Sequence, residues 1–151
     1  MILEDMILKN IKDMPPSGIR KYFDLVNEME DVISLGVGEP DFVTPWNVRE
    51  AGIYSLEKGH THYSSNAGFI ELRDEISKYL KRRCNLEYDP KEEIIVTVGG
   101  SEGIDLAIRA LIGPGDEIII PEPSFVAYKG CAAFAGGTVK IIDLKEEDDF
   151  K

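Results

Sequence analysis

The stretch EIIVTVGGSEGIDLAIRALIGPGDEIII, Glu93–Ile120, decides the fold class of this chain. It opens on EIIVTVGG, an Ile/Val run of the kind that fills a buried strand. Helical spacing follows in SEGIDLAIRALIGPG, where Ile104, Ile108, Leu111 and Ile112 form one apolar spine and Gly113 and Pro114 stop it. DEIIIPEPS then returns to a strand pattern. Working outward, FVAYKGCAAFAGG reads as a helix and TVKIIDL as a third strand. Strand, helix, strand, helix, strand, with near-continuous Ile and Val in each strand, predicts an α/β domain with a parallel sheet apolar on both faces.

The corner inside that stretch holds more glycine than a tight connection needs. Gly99 and Gly100 are expected to end the strand, Ser101 to cap the helix, and the N–H groups of Glu102 and Gly103 to face the corner. A helix N-terminus carries bare donors and partial positive charge, so an anion fits there without Lys or Arg. Three readings are open at this point. The corner binds a phosphate; it belongs to a dinucleotide site; or it is a capped turn with no ligand. Gly99, Gly100 and Gly103 give G-G-x-x-G, which misses the dinucleotide fingerprint. Glu122, near the end of the next strand, does stand where a ribose-binding acid would be. No G-K-[S/T] occurs, which excludes a nucleoside triphosphate loop.

Upstream, PPSGIRKYFDLVNEME predicts a helix capped by Ser17, with Ile19, Phe23, Val26 and Met29 on one face. Val32 to Leu35 reads as a short strand at most, because Gly36, Gly38, Pro40 and Pro45 forbid a long one. PWNVREAGIYSLEKG is a second helix, ended by Gly59. From about Phe69 a third helix begins, with Ile70, Leu72, Ile76, Tyr79 and Leu80 as its apolar set. Glu71 and Glu75 sit near its start and Lys81, Arg82 and Arg83 near its end, as the helix dipole favours. His60 and His62 are expected to be solvated, and KEEDDFK to be a solvated acidic loop.

Composition narrows the function. The 151 residues suffice for one domain with a core. There are 17 Lys and Arg against 28 Asp and Glu, a net charge of -11. That balance argues against nucleic acid as a partner and against an anionic membrane surface. Cys84 and Cys131 lie far apart with no metal-ligand spacing, so neither a disulfide framework nor a metal site is expected. No signal-like segment and no long apolar run is present, which places the chain in the cytoplasm as an expectation.

Four blocks together carry a resemblance: PPSGIRKYFDL, SLGVGEPDFVTP, HYSSNAGFIELRDEI and VTVGGSEGIDLAIRALIGPGDEIIIPEPSFVAY. In this order and spacing they resemble class I/II aminotransferases, fold-type-I enzymes that use pyridoxal 5′-phosphate (PLP). The resemblance implies the N-terminal part of a three-layer α/β/α large domain. Residues 1–45 would be an N-terminal arm and substrate-side loop, and 46–151 the first part of the PLP-binding domain. It also implies that EIIVTVGG does not neighbour the next two strands in the full sheet, and that the isolated chain self-associates or re-pairs its strands.

Residue by residue, the resemblance assigns Gly100, Ser101, Glu102 and Gly103 to a cup for the PLP phosphate. Phe125 would stack on the pyridine ring, and Tyr63 would reach the PLP phosphate of the neighbouring subunit in a homodimer. Gly38 would offer its N–H to the substrate α-carboxylate, and Ile19 would lie near the substrate. Tyr128 is expected to pack rather than react. The implied activity moves an amino group between an amino acid and a 2-oxo acid, in amino-acid metabolism. The family's Schiff-base lysine, ring-nitrogen aspartate and carboxylate arginine find no match here, and none of the 11 lysines takes the lysine's role. The chain is therefore expected to hold no catalytic residue, to be the N-terminal piece of a longer protein and to be inactive alone. Two other functions compete: a standalone binding or assembly module, and a nucleotide-binding α/β domain.

Overall fold

The structure is a computed structural model that describes residues 6–14, 22, 25, 29, 31–33, 35 and 38–151. It divides into two compact units. One comprises Met1–Val32 with Val98–Lys151, the other Ile33–Thr97. The helix expected from Ser17 falls largely outside the described residues, as does Ile19; Tyr22 and Leu25 are helical.

In the first unit the order is α1 (Lys9–Lys12), α4 (Gly99–Leu111), β1 (Glu117–Glu122), α5 (Ala127–Ala135) and β2 (Thr138–Asp143), with α2 (Trp46–Glu57) and α3 (Ile70–Cys84) belonging to the second unit. A 3-10 turn at Glu146–Asp148 follows, in the exposed acidic run. The two strands pair in parallel, Glu117 opposite Thr138 through Glu122 opposite Asp143. Parallel neighbours need a crossover, and α5 supplies it. Ile108 of α4, Ile120 of β1, and Cys131 and Ala132 of α5 are buried where these elements meet. Small residues on α5 let α4 approach closely. Asn10 of α1 donates from Nδ2 to the Ala133 carbonyl at 3.0 Å, tying the N-terminal turn to the same helix.

The expected elements from Glu117 to Asp143 are present, and the parallel sheet is small. Three expectations fail. EIIVTVGG forms no strand: Ile94–Thr97 runs without ladder pairing, since β1 pairs with β2 and the described residues offer it no third strand. Val32, Ile33 and Leu35 likewise lie in no strand. Leu111 also departs from the expected spine, at 78% exposure. The chain leaves helical geometry at Ile112 (φ -120°, ψ 135°), which turns inward in its place. Gly137 makes room for it, since a Cβ there would collide with Ile112 Cγ2.

The second unit carries α2 (Trp46–Glu57) and α3 (Ile70–Cys84), both where the sequence places them. α2 ends through Lys58, and Gly59 follows at φ +72°. α3 has Glu71 in its first turn and Lys81, Arg82 and Arg83 in its last. Asn85 caps it in the left-handed conformation, with its N–H donating to the Lys81 carbonyl. The loop after α3 hangs from two side chains. Arg73, buried, donates from Nη1 to the carbonyls of Pro90 (2.9 Å) and Lys91 (3.2 Å). Ser77 Oγ donates to the Tyr88 carbonyl at 2.6 Å. Gly68, at φ +90°, passes so close to Val96 that a Cβ would stand 2.8 Å from its Cβ. The Val96 N–H donates to the Ala67 carbonyl there. Among the described residues no helix is long and apolar enough to cross a membrane.

Candidate functional site

α4 begins three residues earlier than a cap at Ser101 would place it. Gly99 and Gly100 already belong to it, Val98 stands at the cap position and no side chain caps the end. Ser101 is thus not the N-cap; it lies inside the first turn, exposed, and the N–H groups of Glu102 and Gly103, expected to face the corner, fall within the helix's own bonding instead. Its hydroxyl has no hydrogen bond among the described residues. Gly99 takes φ +76°, a conformation that an L side chain strains. Nothing lies within 4 Å of a Cβ built on Gly99 or Gly100, so the corner is open on that side. The first-turn N–H groups of Gly100 and Ser101 have no acceptor within their own helix. Glu102 reaches back, its carboxylate accepting the Val98 N–H, which fastens the corner. The 13-residue α4 adds its dipole to these donors. An open glycine turn, two N–H donors and an uncommitted hydroxyl suit a phosphate.

Phe125 sits in the turn between β1 and α5, beyond the carboxyl end of the strand, where ligands of parallel sheets bind. It is 49% exposed and its ring meets Tyr128 edge-on, centroids 5.9 Å apart and planes at 90°. Tyr128 therefore packs, as expected. The edge contact steadies the Phe125 ring. Glu122 is engaged by the Lys129 ammonium, so the acid that a ribose would need is already committed. The cup residues and Phe125 belong to one unit. An aromatic face and an open turn of N–H donors are two of the parts PLP would use, and these residues fit that share of it.

Gly38 and Tyr63 belong to the second unit. Gly38 is exposed with open space around it. Tyr63 is fully exposed and, with Ser55, His60, His62, Phe69 and Leu72, lines an open hollow. His60 and His62 are exposed, as expected.

Sequence reasoning missed a cluster behind the corner. Arg109 Nε donates to Asp105 Oδ2 at 2.7 Å. The Arg109 guanidinium holds the Asp105 carboxyl below its usual range and is itself raised in return. Burial pushes the Cys131 thiol up, and the Asp105 carboxylate beside it adds to the effect. The i,i+4 spacing of Asp105 and Arg109 is the signal that could have found the pair.

The family model for aminotransferase class I and II matches residues 30–151. The chain belongs to the class I and II aminotransferases. It is 50% identical over 141 residues to the "Probable aspartate aminotransferase" of Methanocaldococcus jannaschii, covering 93% of this chain and 37% of that protein. It is 40% identical over 136 residues to the aromatic-amino-acid aminotransferase 2 of Thermococcus litoralis, covering 90% of this chain and 35% of that protein. The solved aspartate aminotransferase of Thermus thermophilus with maleate superposes with a TM-score of 0.85 at 35% identity, over 95% of this chain and 38% of that one. The chain thus spans little more than a third of the length of the relatives it matches.

Proposed function

We propose that the protein carrying this chain is a PLP-dependent aminotransferase, which moves an amino group from an amino acid to a 2-oxo acid. The open, glycine-started first turn of α4, in a chain of this family, is the observation that carries the reading. PLP, when bound, supplies an electron sink for the bond broken at the amino acid's Cα. This chain's part is to bind and orient. Gly100 and Ser101 donate N–H groups to the phosphate, Ser101 adds its hydroxyl, and Glu102 and Gly103 complete the cup. Phe125 offers a flat apolar face that fixes the ring against the bond to be broken. Tyr63 reaches the phosphate of the neighbouring subunit in a homodimer. Gly38 donates its N–H to the substrate carboxylate, and Ile19 borders the substrate.

In this reading residues 1–45 form the arm and substrate-side loop, and 46–151 the first part of the cofactor domain. The chain alone is inactive, since none of its lysines matches the one that bonds the cofactor. The relatives' names include aspartate, aromatic-amino-acid and LL-diaminopimelate aminotransferases, so the substrate class proposed here is an amino acid and a 2-oxo acid.

The test is cofactor retention and transamination by the complete protein. Ser101→Ala is expected to weaken PLP binding by about 1.5–3 kcal/mol at most, the worth of a hydrogen bond to a charged group. Phe125→Ala is expected to lower both retention and turnover. Wild-type retention by both variants would overturn the placement of the site.

A further inference from the structure

Behind the cup lies the polar cluster to which the proposed function gives no role. Asp105 stands four residues after Ser101 and therefore on the same side of α4. Arg109, one turn further, holds its Oδ2. The other oxygen, Oδ1, is enclosed and has no hydrogen bond of ordinary geometry among the described residues. The buried Cys131 of α5 stands beside this carboxylate. The Arg109 guanidinium lies 5.8 Å over the Phe134 ring, also on α5. Both partners of the ion pair thus engage the neighbouring helix. Tyr128, Cys131 and Phe134 recur at three-residue intervals, and Tyr128 is the residue against which Phe125 rests.

An ion pair this exposed contributes little stability, and enclosing one carboxylate oxygen works against it. Sturdiness alone does not account for the arrangement. A clamp between helices does: it fixes how far α4 slides and turns against α5. We propose that Asp105 is a positioning residue. Through Arg109 on Phe134, and against Cys131, it holds the first turn of α4 in register with Phe125, so that one cofactor meets both its phosphate donors and its stacking ring. This rests on the roles given above to Ser101 and Phe125.

The experiment uses the complete protein stripped of cofactor, titrated by equilibrium dialysis with PLP and with pyridoxal, which lacks the phosphate. Asp105→Ala is expected to raise the PLP dissociation constant by about five- to tenfold while leaving that of pyridoxal unchanged, a coupling between groups that act together. Asp105→Asn keeps an acceptor for Arg109 Nε and is expected to bind PLP as the wild type does. Two controls isolate the underlying reading. Ser101→Ala must weaken PLP and spare pyridoxal, and Phe125→Ala must weaken both. If the controls behave and Asp105→Ala leaves both constants alone, or weakens both alike, the positioning role is overturned. If the controls themselves fail, the site is misplaced and the clamp falls with it.

Discussion

The two units are built by different means. Where α4, β1 and α5 meet, the buried residues are Ile108, Ile120, Cys131 and Ala132, apolar and small. In the second unit the buried residue among those described is Arg73, and Trp46, Ile53, Leu56 and Leu72 are exposed. The first unit is ordered by burial, which is additive and tolerant of direction. The second is ordered by directional bonds, from Arg73 and Ser77 to the carbonyls of Pro90, Lys91 and Tyr88. Loss of one donor leaves a specific loop without its support; loss of one methyl group loosens a whole junction.

Three substitutions sharpen that contrast. The largest effect is expected from Ile120→Ala, about 2–5 kcal/mol in denaturant unfolding of the complete protein, as for other buried aliphatics. Hydrogen exchange should quicken across β1, α4 and α5 together. Arg73→Met comes next, about 1.5–3 kcal/mol for the charged hydrogen bonds it removes. Its exchange signature should be confined to residues 86–93; spreading into α4 would show that the units share one kind of order. The smallest is Lys78→Ala on α3. Its bond to Glu75, 2.7 Å long, joins two exposed side chains. The thermal midpoint should not move.

How much of this was legible follows the same division. β1 and β2 could be read from Ile and Val runs bounded by Gly and Pro, and α5 from the small and aromatic residues between them, because each finds its partner within the same stretch. EIIVTVGG carries the same signal and forms no strand, because pairing depends on a neighbour that its own residues do not specify. The start of α4 lies three residues before the cap its sequence suggests: Ser101 has the chemistry of a cap, but the turn is made by Gly99 at positive φ. Arg73 left no signal, since its acceptors are backbone carbonyls, which every residue possesses. The glycine corner stands out in the residues themselves and Phe125 only through the resemblance, whereas the geometry of neither is written in the sequence.

The nesting of Ile112 beneath Gly137 reaches beyond packing. These two positions share a single space, so neither is free to change by itself. Any residue larger than glycine at 137 demands that position 112 surrender its Cγ2 branch, as leucine would. Among descendants of this sequence, the two sites should be inherited as a couple.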